Sequence, residues 1–231
     1  WDRSRTEADW RCGRRRWLNY DYGGRGLVGD GLELDLFIGS AVHGTLAAIA
    51  YGQMNGLGDI DSIATTAQDA VYEALKAEGD TMAHEQASLV EGLTRGFYRQ
   101  VWPALMLQYP YIVAIEQEMF YDVGGRRFMC TPDLIVSSEP EGPVTYVEYK
   151  TTSSKKDEWI GQWSTAVQVH ASIKAIEATL KRPVEAVIVQ GLYKGYKSYG
   201  KLSSPFCYAY HRNANPPFVK EEWLYEYKAG F

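Results

Sequence analysis

Asp133, Glu148 and Lys150 are the residues of this chain whose types and spacing could do chemistry together. Glu148 and Lys150 stand two apart at the end of a run, Val144 to Tyr149, that alternates apolar and polar residues. Side chains two apart on a strand point to the same face. Asp133 precedes the apolar run Leu134-Ile135-Val136, which can pair with the first and bring a second carboxylate alongside. Two carboxylates and an ammonium converging at a strand end suit a hard divalent cation and a phosphate, since hard cations take carboxylate oxygens and a lysine is a point charge for an anion. Glu and Lys at this spacing are also the ordinary solvated face of an antiparallel sheet. Both runs read as interior strands, however, where an unpaired Glu or Lys is costly to bury.

The elements that must position these residues follow from the flanking pattern. Ile115 to Tyr121 alternates, Val123-Gly124-Gly125-Arg126 supplies a Gly-Gly turn, and Arg127 to Val136 returns, which predicts a hairpin. Pro140, Gly142 and Pro143 mark the loop before Val144. Upstream, helices are expected over Thr6 to Tyr20, from Gly39-Ser40 to Gln53 with His43 in its first turns, after a cap at Asp59 or Asp61, and from His84 to Gln108 with a kink or end at Pro103. The acidic, glycine-rich segment Arg25 to Leu36 reads as a surface loop. Downstream come a helix from Trp159 to Lys181, a strand over Val184 to Leu192, a Tyr/Lys/Gly loop over Tyr193 to Gly200, a strand or edge over Ser204 to His211, and a final helix from Phe218 to Lys228. This order predicts an α/β fold, a central mixed sheet flanked by helices. One domain is expected over residues 1–231, mostly helical over 1–110 and carrying the sheet over 111–231.

With 231 residues, 45% hydrophobic and 13% aromatic, the chain can bury one substantial core. No apolar run reaches the roughly 20 residues of a membrane span, and the first residues are too charged for a secretory signal. An intracellular, cytoplasmic protein without membrane attachment is expected. Cys12, Cys130 and Cys207 lie far apart and without metal spacing, which reads as reduced thiols, two of them buried. The net charge of -5 argues against a broad basic surface, while local basic patches remain open to nucleic acid. Arg14 and Arg15 sit in an N-terminal arginine cluster, and Lys194 and Lys197 alternate with tyrosines, a combination that can hold phosphates and stack bases.

Pro132-Asp133 followed by Glu148-Tyr149-Lys150 resembles the signature of the PD-(D/E)XK nuclease superfamily. Gly39 to His43 is similar to the G-x-x-x-H motif of its RecB-type, CRISPR spacer-acquisition and phage exonuclease branch, and Cys12 to Trp17 is similar to the Arg-rich first helix common there. Gln168 falls where the family's Q-x-x-x-Y motif begins, although the tyrosine position is Ser172 here. These motifs stand in the family's order.

The resemblance implies a restriction-endonuclease-like core and a divalent-metal-dependent deoxyribonuclease. It implies that His43, Asp133 and Glu148, with the Tyr149 carbonyl, bind one or two Mg²⁺ or Mn²⁺ ions. It also implies that Lys150 orients the attacking water or neutralises charge on the phosphoryl oxygens, and that Gln168 bonds the water, Lys150 or a DNA phosphate. Glu116 or Glu118 would add a ligand through water, the choice between them being open. Family members with an iron-sulfur cluster use four cysteines, so no cluster is expected. An exonuclease acting on DNA ends in recombination, repair or phage DNA processing is the leading expectation, working as an oligomer or beside a helicase, recombinase or single-strand-binding protein. A structure-specific or restriction-type endonuclease and a non-catalytic DNA-binding subunit remain the alternatives.

Overall fold

The computed structural model describes residues 5, 8, 9, 11–27, 33–56, 59–152, 163, 166–193 and 223–228. Near the N-terminus α1 (Gly13–Arg16) runs into a π turn (Trp17–Asp21) and a 3-10 turn (Tyr22–Gly24). Gly23 and Gly24, both at positive φ, end that helical stretch where the Gly-Gly pair predicts an end. α2 (Leu34–Met54) begins earlier than Gly39-Ser40, because Leu34, Phe37 and Ile38 extend the apolar stripe that continues through Val42, Leu46 and Ala50. α3 (Ile60–Ala77) is capped by the Asp59 carboxylate, which accepts the Asp61 N–H. The helix expected from His84 to Gln108 is two, α4 (Ala83–Gln100) and α5 (Trp102–Gln108), broken at Val101 with Pro103 in the first turn of the second.

Among the described residues seven strands follow: β1 (Tyr111–Ile115), β2 (Met119–Val123), β3 (Arg126–Cys130), β4 (Leu134–Ser137), β5 (Val144–Thr152), β6 (Val184–Tyr193) and β7 (Trp223–Lys228). The Gly124-Gly125 hairpin forms, pairing β2 with β3, but as a sheet of its own. The return strand expected to reach Val136 is interrupted at Thr131-Pro132-Asp133, since proline supplies no N–H to a ladder, and β4 pairs elsewhere. The main sheet runs β1-β4-β5-β6-β7. β4 is antiparallel to β1 and β5, whereas β5 and β6 are parallel and connected through α6 (Val167–Leu180). The sheet is therefore mixed, as expected.

Two corrections concern the C-terminal third. The helix expected from Phe218 to Lys228 is a strand over its described part: Trp223–Lys228 pairs antiparallel with β6, covering an edge that would otherwise expose its hydrogen-bonding groups. Its aromatic residues favour a pleated strand. The helix expected from Trp159 to Lys181 runs from Val167, after an extended Ala166; residues 153–162, like the Ser204 to His211 strand, Cys207, Lys194 and Lys197, lie outside the described residues.

The sheet separates two cores. On one side Leu134, Val136, Val147, Tyr149 and Ile188 pack with α2, α4 and α5. On the other, Ile135, Val144, Tyr146, Val187 and Val189 pack with Trp163, Val169, Ile173 and Ile176 around α6, together with Met119 of the hairpin. By length and composition α2 could cross a membrane, contrary to the reading of the sequence, yet Ile38, Val42, Leu46 and Ile49 are buried inside this fold. Cys12 is exposed and Cys130 half-buried, so neither is the buried thiol expected.

Candidate functional site

The site lies where β4 begins and β5 nears its end, and alternation along β5 decides what each residue faces. Val144 and Tyr146 belong to the α6 core and Val147 and Tyr149 to the opposite core. Glu148 and Lys150 consequently share the α6 face with Tyr146. Lys150 Nζ and Gln168 Nε2 both donate to Glu148 Oε1, while the Tyr146 hydroxyl donates to Oε2. Gln168 reaches the carboxylate from the first turn of α6. The Glu148 residue is 1% exposed, so this carboxylate depends on those three donors for solvation. Burial raises its pKa above the ordinary carboxyl value, the nearby charge of Asp133 adds to the rise, and Lys150 opposes it.

Asp133 stitches three elements together. Its Oδ2 accepts the Tyr149 N–H at 2.6 Å, its main-chain carbonyl accepts the Glu116 N–H at 3.1 Å just after β1, and its Oδ1 meets His43 Nδ1 at 3.0 Å. His43 follows Val42 of the buried stripe by one position, which turns its ring from the core toward the sheet end; that ring meets Tyr149 edge-on, with centroids 6.2 Å apart. Burial alone would lower the His43 pKa, but the hydrogen bond and charge of Asp133 outweigh it and raise the imidazole above 6.5.

One ligand atom each from His43, Glu116 and Asp133 lie within 4.8 Å of one another. Two carboxylates and an imidazole are a donor set for a divalent cation of the Mg²⁺ or Mn²⁺ kind, the imidazole tilting the choice toward Mn²⁺. Glu116 has φ of 42°, a left-handed conformation uncommon for any residue but glycine or asparagine, at the point where the chain leaves β1. His43, Glu116 and Lys150 also line a cleft of about 480 Å³ with Asp35, Ser40 and Thr151.

Of the residues singled out in the sequence, His43 and Asp133 come together with Glu116, and Glu148, Lys150 and Gln168 form an adjoining network. Glu148 itself stands outside the three-residue group. Tyr149 contributes its N–H to Asp133. Arg14 and Arg15 are exposed on α1, whereas Arg16 is paired with Asp9 and Asp21. His170 is exposed. Tyr146 is a site residue that the sequence reading lacks, although Tyr-x-Glu-x-Lys on an alternating strand places it beside Glu148. Ser172, at the position of the family tyrosine, is buried beside that phenol and draws its pKa down against the larger rise caused by burial.

Curated proteins show no significant sequence match to this chain. The family comparison does: residues 4–213 match the PD-(D/E)XK nuclease superfamily, and with its mixed sheet and its histidine-carboxylate group the chain belongs to that superfamily of metal-dependent nucleases.

Proposed function

We propose that this protein is a divalent-metal-dependent deoxyribonuclease that hydrolyses phosphodiester bonds at DNA ends. The observation that carries the reading is the meeting of His43, Glu116 and Asp133 beside the Glu148–Lys150–Gln168 network at one strand end. His43, Asp133 and Glu116, with Glu148 next to them, are the residues that would hold Mg²⁺ or Mn²⁺. When bound, such an ion lowers the pKa of a coordinated water and offsets negative charge on a phosphoryl group. The chain's own residues do the rest. Asp133, fixed by the Tyr149 N–H, keeps its second oxygen toward His43 and the cleft. Lys150, about a quarter exposed where β5 meets the cleft, presents its ammonium to a phosphate oxygen. Gln168 holds the Glu148 oxygen it shares with Lys150, which limits where that ammonium can move. The preference for ends rests on the similarity of Gly39 to His43 and Cys12 to Trp17 to the exonuclease-rich branch.

The test is cleavage of end-labelled linear and circular DNA with Mg²⁺, Mn²⁺ or EDTA, for wild type and Lys150→Ala. Metal-dependent loss of linear DNA alone is expected, reduced about 10²- to 10³-fold in the variant as for removal of a charge-stabilising donor. Cutting of the circle would assign an endonuclease instead. A folded wild type that cuts neither substrate with any metal would overturn the enzyme reading.

A further inference from the structure

Tyr146 is among the largest fully buried side chains of the molecule, in the core between the sheet and α6. A phenylalanine would fill that space as well, and a phenol so deep needs partners for its hydroxyl. It has one in Glu148, whose Oε2 accepts its hydrogen bond, and the buried Ser172 lies beside the phenol and draws its pKa down against the rise that burial causes. Ser172 lies one helical turn beyond Gln168, so a single face of α6 supplies both the group that bonds Glu148 directly and the one that backs the phenol.

The division of labour on the carboxylate makes the hydroxyl more than a solvating group. Lys150 and Gln168 both occupy Oε1 and give Oε2 no donor. A carboxylate offers roughly four lone-pair sites on its two oxygens. With Oε2 held by Tyr146, both oxygens of the group are fixed, and so is the direction of the lone pairs that remain. We propose that Tyr146, backed by Ser172, is a positioning residue that orients the Glu148 carboxylate toward the metal-binding group. The inference rests on the proposed reading of His43, Glu116, Asp133 and Glu148 as one metal site. In this chain the orienting phenol comes from the strand, two residues before the glutamate, and the helix contributes a serine.

The experiment is calorimetric titration of the full chain with Mn²⁺ alone, without DNA, for wild type, Tyr146→Phe, Ser172→Ala, Glu148→Gln and the Tyr146→Phe/Glu148→Gln double variant. Each is titrated below its own melting transition. Loss of a group that orients a metal ligand costs about 10- to 100-fold in affinity, and Tyr146→Phe is expected in that range with kcat reduced and KM for DNA little changed. Ser172→Ala should weaken Mn²⁺ binding in the same direction by less. In the Glu148→Gln background Tyr146→Phe should have no further effect on Mn²⁺ affinity, because the hydroxyl acts through that carboxylate; a phenol serving only the core would weaken both backgrounds alike. Wild-type Mn²⁺ affinity in either folded single variant, or an equal effect in the two backgrounds, overturns the proposal while leaving the nuclease reading intact. A wild type that neither binds Mn²⁺ nor cuts DNA overturns both.

Discussion

At the scale of single residues, the histidine is where proton and metal compete. Asp133 raises the His43 pKa, so in mildly acidic solution the imidazolium is paired with that carboxylate. A metal must displace the proton, because the ligand is neutral imidazole. Mn²⁺ affinity is therefore expected to fall from about pH 8 to about pH 6, with up to about one proton released per ion at the acidic end. Titration calorimetry in buffers of different ionisation enthalpy counts that proton; its absence at every pH would remove His43 from the ligand set. The sign for stability is opposite. A raised histidine pKa gives the metal-free fold a contribution that is complete below the unfolded value of 6.5 and is lost as pH rises through the higher folded value. In EDTA the melting temperature should fall across that window, and His43→Gln should flatten the fall.

Among the elements, α6 joins β5 to its parallel neighbour and carries Gln168 and Ser172, so its ends determine how firmly the network is held. It stops at Lys181, which takes φ of 58° and ψ of 28°, a left-handed cap that glycine adopts without penalty. Lys181→Gly is expected to stabilise the protein by about 1 kcal/mol, with cleavage unchanged. Denaturant unfolding measures it, and a loss of stability would mean that the lysine side chain matters more than its backbone. The same scale shows what could be read from sequence. β5 was legible because a period of two over Val144 to Tyr149 fits no helix, and with it came the shared face of Glu148 and Lys150. β1 was not, because Tyr-Ile-Val-Ala-Ile is a short apolar run without alternation. Taking the strand through Ile115 to Tyr121 put Glu116 and Glu118 on one face, whereas the chain turns at Glu116 and carries only that carboxylate into the group. β7 reads as a helix in the sequence because the pairing with β6 that makes it a strand bridges residues far apart along the chain.

For the whole molecule the difficulty is charge, since a chain of net charge -5 must bring a polyanion to a cleft lined by carboxylates. Two features on this chain can offset the repulsion: a cation held by His43, Glu116 and Asp133, and exposed arginines such as Arg14 and Arg15. They act at different ranges. The cation neutralises charge at the reacting phosphate, and surface arginines contact phosphates along the strand, each such contact adding about 0.9 to the salt slope on duplex DNA. Fluorescence anisotropy with labelled linear DNA and Ca²⁺, an oxygen-seeking cation used to occupy the site, separates them. Affinity is expected to be at least about tenfold tighter in Ca²⁺ than in EDTA, corresponding to about 1.4 kcal/mol. Arg14→Ala/Arg15→Ala should leave that ratio unchanged and lower the slope of log affinity against log salt by about 2. Equal affinity in Ca²⁺ and EDTA would mean that the cation serves chemistry without binding. An unchanged salt slope would return the two arginines to the solvated surface and place the DNA track elsewhere on the molecule.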